Sequence, residues 1–114
     1  MEDCIFCKIL KGEIPCKKVY EDDQVLAFHD VNPAAPVHVL VIPKKHIEDI
    51  TQVAAEDFAY VNAAIQAAQK IVADLNLSDG GFRLVVNTGT MGGQTVPHLH
   101  FHILGGRMLA WPPG

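Results

Sequence analysis

The sequence predicts one α+β domain spanning residues 1–114: a mostly antiparallel five-stranded sheet, one long helix and a short N-terminal helix. Three observations carry this. The chain has 114 residues, room for one core and not two. Short apolar and β-branched runs recur, bounded by Pro, Gly, Asn and Asp. Few connections have room for a helical crossover, so most neighbouring strands should be antiparallel.

Taken in order, Cys4 to Leu10 reads as a short helix with Phe6, Ile9 and Leu10 on its apolar side, ended by Gly12 and Pro15. Val19-Tyr20 and Val25 to His29 read as strands joined by Glu21-Asp22-Asp23. Asn32-Pro33 and Pro36 make a rigid connection to a third strand, Val37 to Ile42, stopped by Pro43. Lys44-Lys45 reads as a solvated turn. Phe58, Val61, Ile65, Ala68, Val72 and Leu75 follow one face of a long helix, with Glu56 and Asp57 in its first turn and Ser78-Asp79-Gly80-Gly81 at its end. Phe82 to Asn87 and His98 to Leu104 complete the sheet.

Almost half the residues are apolar (49%) and 19% are charged, which suits a globular chain and excludes disorder. Nine Lys and Arg against thirteen Asp and Glu give a net charge of −4. No basic footprint large enough for a nucleic-acid surface is present. No apolar run reaches membrane-spanning length, so no membrane partner is expected. Glu2 and Asp3 stand where a signal peptide would carry positive charge. Three cysteines, an odd number, do not make a secreted disulfide framework, so a cytoplasmic protein is expected.

The chemistry concentrates in His98-Leu99-His100-Phe101-His102-Ile103-Leu104. As a strand, this segment puts Leu99, Phe101 and Ile103 on one face and three imidazoles on the other. Such a row suits acid–base work, nucleophilic catalysis or metal binding. His98 and His102 would lie roughly 13 Å apart at Cα, so a single ion could be shared by adjacent members but not by all three without bending the strand. The loop from Asn87 to Pro97, rich in Gly and Thr, leads into the row, and its backbone N–H groups suit an anion such as phosphate. Cys4-x-x-Cys7 reads as a redox motif, a metal half-site that histidines such as His46 and His98 would complete, or two packed thiols. Cys16 reads as inert. His29 and His38, on strands, are structural or orient a catalytic partner.

The heptapeptide resembles the His-x-His-x-His signature of the histidine triad (HIT) superfamily. Ile5-Phe6, Ile14-Pro15, Ala27-Phe28-His29-Asp30, Val41-Ile42-Pro43-Lys44-Lys45-His46, Val86-Asn87, Gly92-Gly93-Gln94 and Gly105-Gly106-Arg107 through Trp111-Pro112-Pro113-Gly114 extend the resemblance to its nucleotide-binding Hint branch over nearly the whole chain. The resemblance implies a HIT-like fold whose sheet continues across a homodimer. It implies a purine nucleoside phosphoramidase that hydrolyses a P–N bond through a nucleotidyl-histidine intermediate, with no catalytic cofactor. In that reading His100 attacks phosphorus. His102 and the backbone of Gly93, Gln94 and Thr95 hold phosphate oxygens, and Thr95 stands near the leaving amine. Val96 and Asn87 contact the nucleotide, and Asp30 holds the ribose. Ile5, Phe6, Ile9, Phe28, His29 and Val31 enclose the base, and His38 supports the catalytic imidazole. The related nucleotidyl transferases carry Gln where this chain has His102, so hydrolysis is implied. Some members hold a structural zinc through residues matching Cys4, Cys7, His46 and His98. Pro97 departs from the residue many relatives have there. Two other readings compete: a zinc-dependent hydrolase using the triad as ligands, and a non-catalytic nucleotide-binding interaction module.

Overall fold

The computed structural model describes residues 3–114; Glu2, half of the acidic N-terminal pair, lies outside them. A short helix α1 (Ile5–Leu10) precedes β1 (Lys18–Glu21), β2 (Val25–His29) and β3 (Val37–Pro43). Two 3-10 turns, Ile50–Gln52 and Ala55–Asp57, lead into α2 (Phe58–Asp74), followed by β4 (Phe82–Val85) and β5 (Phe101–Gly105). The sheet order is β1-β2-β3-β5-β4, and every pairing is antiparallel, as expected.

Local chemistry sets the boundaries. Cys4 caps α1, its Sγ accepting from the Cys7 N–H at 3.3 Å. Gly12, at φ +79°, turns the chain out of that helix while the Glu13 N–H closes on the Lys8 carbonyl. The long helix ends earlier than the Ser78–Gly81 cluster suggests. Asn76 takes a left-handed conformation (φ 59°), and the Leu77 N–H reaches back to the Val72 carbonyl at 2.8 Å, so α2 stops at Asp74. Glu56 and Asp57 sit in the 3-10 turn before α2, not in its first turn.

The two faces of the sheet are covered differently. Val25, Ala27, Val39, Val41, Leu99, Phe101 and Ile103 pack under α2. The alternation read from the triad segment is therefore correct for its apolar members, each worth about 1.5–3 kcal/mol when fully buried. The expected helix face is correct in part: Ala68 and Val72 are buried, and Val61 and Leu75 pack against the core. Phe58 and Ile65 are exposed, and the buried stripe is Ala63, Ala64, Ala67, Ala68, Ile71 and Val72. Small alanines let the helix backbone approach the sheet closely, which larger side chains at those positions would prevent.

On the opposite face, Leu26, Phe28, Leu40 and Ile42 pack with Cys4 and Phe6 beneath α1. Cross-strand register aligns Phe28, Leu40 and His102 on this face. Lys44 and Lys45 are not a free solvated turn: Lys44 pairs with Glu21 at 2.8 Å, and Lys45 with the buried Asp57 at 2.7 Å. Among the described residues, no helix is long and apolar enough to cross a membrane.

Candidate active site

The triad segment is not one continuous strand. β5 begins at Phe101, so His98 and His100 lie on the chain entering it, and only His102 sits in the ladder, opposite Leu40. The three imidazoles take two different surroundings. His100 and His102, with ring centroids 4.9 Å apart, border a cavity of about 430 Å3 under α1. His98 is fully buried and turns toward Cys4 and Cys7.

Most residues expected around a nucleotide meet at this cavity. Ile5, Phe6 and Ile9 of α1 form one wall, and Phe28, with Asp30, another. His29 and Val31 stand at the rim; Thr95 and Val96 close the end beside His100. Ile14, Pro15, Cys16, Asn32 and Leu40 also line it and were not expected there. Leu40 was findable in principle, since it is the cross-strand neighbour of both Phe28 and His102, but only once the register is known. Gly93, Gln94 and Asn87 do not line the cavity, although the Asn87 amide stands 3.4 Å from His102 Nε2. The Gln94 side chain is engaged within its own loop. Its amide donates to the Glu48 and Val96 carbonyls and accepts from the Gly89 N–H, and its backbone N–H donates to the Gly89 carbonyl at 3.0 Å. A separate cavity of about 510 Å3, between β4 and the tail, contains none of the histidines.

Hydrogen-bond direction fixes the tautomers. The His98 carbonyl can only accept, so His100 Nδ1, 2.7 Å away, carries a proton and Nε2 holds a lone pair. The Ala34 N–H can only donate, so His38 Nδ1, at 3.0 Å, is unprotonated and His38 Nε2 carries the proton. That proton is donated to His102 Nδ1 at 2.9 Å, leaving His102 protonated on Nε2. His38 therefore supports His102, not His100 directly. Asp30 Oδ2 stands farther from His38 Nε2, at 3.5 Å.

Electrostatics agree with neutral rings. Burial lowers His100, and burial outweighs the attraction of Asp30 to lower His38 as well. Burial, reinforced by His100 and His38, pushes His102 down to about 4. The contact between His38 and Asp30 is thus not an ion pair at neutral pH. A neutral His100 with an unprotonated Nε2, on a ring that lines the cavity, can act as a nucleophile, and a protonated His102 Nε2 can donate to an anion.

Among the described residues, two groups of side chains bring ligand atoms within 4.8 Å of one another: Cys4, Cys7, His46 and His98, and Asp30, His38 and His102. They differ chemically. His38 Nε2 holds a proton because Nδ1 is occupied as an acceptor, so the second group is a hydrogen-bonded relay and a poor metal site. In the first, His98 Nε2–H donates to the Pro43 carbonyl at 3.0 Å, which turns the Nδ1 lone pair toward the two thiols at 3.3 and 3.6 Å. A carbonyl behind a ligating imidazole is the usual support for a metal-bound histidine. His46 Nδ1 lies 3.2 Å from Cys7 Sγ. Sulfur-to-nitrogen edges of a tetrahedral zinc site measure roughly 3.5 Å, so the four donors fit such an ion. Burial, with Cys4 alongside, raises the Cys7 thiol, so in the absence of a cation Cys7 is held in its neutral form.

The chain resembles known proteins along almost its whole length. A family profile described as HIT domain matches residues 11–109. An uncharacterised HIT-like protein of Synechocystis sp. is 55% identical over 113 residues, 99% of this chain and 98% of that one. A HIT family hydrolase from Legionella pneumophila superposes with a TM-score of 0.95 at 48% identity, covering 98% of this chain and 100% of the other. The histidine triad nucleotide-binding protein of Candida albicans gives a TM-score of 0.84 at 33% identity, covering 96% and 83%. Fold, histidine geometry and relatives converge: the chain belongs to the histidine triad (HIT) family.

Proposed function

We propose that this protein hydrolyses the P–N bond of purine nucleoside 5′-phosphoramidates, including AMP joined to an amine or to lysine, and acts on aminoacyl adenylates by the same route. The observation that carries the reading is the 2.7 Å hydrogen bond from His100 Nδ1 to the His98 carbonyl, which holds Nε2 as a free lone pair at the cavity edge. His100 Nε2 attacks the α-phosphorus, and a nitrogen–phosphorus bond to His100 forms as the bond to the leaving amine breaks. The amine departs with a proton from the Thr95 hydroxyl, which solvent replaces. The imidazolium of the intermediate keeps its Nδ1–H on the His98 carbonyl. Water then attacks phosphorus as the nitrogen–phosphorus bond breaks, releasing the nucleoside monophosphate and neutral His100, with the proton of the attacking water passing to solvent. His102 Nε2–H and the backbone N–H of Thr95 stabilise the phosphate oxygens, while the Gly93 and Gln94 N–H groups, donated to the Thr90 and Gly89 carbonyls, hold the loop in shape, so the step needs no metal. Asp30 takes the ribose hydroxyls, and the apolar walls take the base.

His100→Asn should abolish hydrolysis of adenosine phosphoramidate while AMP still binds, and mass spectrometry of wild type should trap a nucleotidyl adduct on His100. Retained turnover in the variant would reject the mechanism; AMP binding without turnover in wild type would leave a nucleotide-binding module.

Cys4, Cys7, His46 and His98 would hold a zinc ion that ties α1 to the sheet. Metal analysis of protein purified without chelator should find zinc near one equivalent per chain. The protein would act as a homodimer through the β4 edge, where Phe82 and Leu84 are exposed. Three free cysteines suit the reducing cytoplasm.

A further inference from the structure

We infer that the Cys4–Cys7–His46–His98 cluster is a positioning device for catalysis, not only a staple for the fold: through His98 it fixes the tautomer of His100, and through α1 it fixes one wall of the nucleotide cavity. The inference rests on His100 being the nucleophile and on the cluster holding zinc.

One residue belongs to both sites. The His98 ring is anchored at both nitrogens, Nδ1 toward the Cys4 and Cys7 sulfurs and Nε2 on the Pro43 carbonyl. Its backbone carbonyl is the acceptor that keeps the His100 proton on Nδ1. Sheet pairing does not place that carbonyl, because the β3–β5 ladder starts at Phe101. Among the described residues, two backbone bonds, His98 N–H to Val96 and Leu99 N–H to Ile47, steady this stretch. The anchoring of the His98 side chain therefore decides where its carbonyl points.

The second link runs through α1. A helix of six residues is not stable alone. Cys4 at its cap and Cys7 one turn on are both in the cluster. Between them Phe6 meets the rings of His98 and His100 edge-on, with centroids at 5.8 and 5.0 Å. Ile5 and Ile9 of the same helix line the cavity. With zinc, four ligand bonds lock thiols and imidazoles together. Without it, His98 keeps Nε2–H on the Pro43 carbonyl but its Nδ1 side, like the rest of the cluster, holds by contacts of thiol to imidazole and of backbone N–H to sulfur, which are weak. The His98 carbonyl then drifts, and the wall bearing Phe6 loosens.

The test is 15N NMR of the imidazoles in the full chain, zinc-loaded and chelated, with AMP titration and circular dichroism on the same samples. The zinc-loaded chain should show His100 as a single Nδ1–H tautomer. Chelation should mix the tautomers and weaken AMP binding by at least about tenfold while the dichroism is retained. Should chelation unfold the chain, His46→Ala in the presence of zinc replaces it, since His46 lies outside every helix and strand and its loss leaves three ligands. The same shift in tautomer and affinity is expected there. An unchanged His100 tautomer and unchanged AMP affinity in a folded chelated or His46→Ala chain would overturn the inference, as would a wild-type chain that takes up no zinc. Absence of phosphoramidate turnover by the zinc-loaded chain would overturn the enzymatic reading alone, because the tautomer measurement does not depend on turnover.

Discussion

His38 Nε2 stands 2.9 Å from His102 Nδ1, and the Ala34 N–H on the far side of His38 fixes the direction of that hydrogen bond. The consequence is a His102 whose Nε2 is always a donor. His38 is buried and does not line the histidine-bordered cavity, so its effect on substrate passes through His102.

Removing it should therefore cost rate rather than affinity. His38→Ala frees His102 to adopt the opposite tautomer, which would present a lone pair to a phosphate oxygen. A fall in kcat of about 10–100-fold is expected with KM changed far less. Steady-state kinetics on adenosine phosphoramidate measure the split; a variant that loses KM alone would show that His38 shapes the pocket and not the donor.

The same relay fixes a pH dependence. His102 titrates at about 4 in the folded chain, against an ordinary value near 6.5. The unfolded chain thus binds a proton that the folded chain refuses. Stability from this group is full above pH 6.5 and lost as pH falls toward 4, with a slope of up to about 1.4 kcal/mol per pH unit. Urea midpoints at pH 7, 6 and 5 should fall in that order. The acid limb of kcat/KM should also lie well below 6.5; a limb at 6.5 would mean that His102 is solvated and outside the relay.

The sequence carries the histidine chemistry better than the packing that serves it. Leu99, Phe101 and Ile103 reveal their face because a strand has a period of two, and tertiary context leaves no second choice. α2 offers two apolar faces, one of large residues and one of alanines. Only the closeness of the sheet decides for Ala63, Ala64, Ala67 and Ala68. Ile14, Pro15 and Cys16 reach the cavity because the chain between α1 and β1 folds back past Asp30, a long-range event with no local signature. The division of the triad, with His98 turned to the cysteines and His100 to the cavity, follows from β5 beginning only at Phe101. An ideal alternation hides that break.

The exposed residues of β4 lead to a prediction about assembly. Phe82 is 43% and Leu84 37% exposed on an edge strand, a combination that invites pairing with another copy. Sedimentation should give twice the 12.4 kDa chain mass for wild type, and Phe82→Asp should shift it to monomer. A wild-type monomer at micromolar concentration would remove the dimer.

Gly92 tests whether the loop before the triad is a shaped anion cradle or a mere connection. A Cβ at this position would sit 2.2 Å from the Thr88 carbonyl oxygen and 3.0 Å from the Thr88 nitrogen. Both are backbone atoms, so no side chain can swing away, and the loop itself must open. That opening pulls on the bonds that shape it, Gly93 N–H to Thr90 and Gln94 N–H to Gly89, and so displaces Thr95, whose N–H and hydroxyl face the cavity end. The core is untouched, because residues 89–93 are exposed. Gly92→Ala should therefore lower kcat/KM by about 100-fold, the scale set by losing one oriented donor or by an ångström of misplacement, while the melting temperature moves by only a few degrees. Gly89→Ala is the useful contrast. Its Cβ meets nothing within 4 Å, and the cost there is the strain of φ +72° alone. If Gly92→Ala retains wild-type kcat/KM, the loop donors do not bind the phosphate.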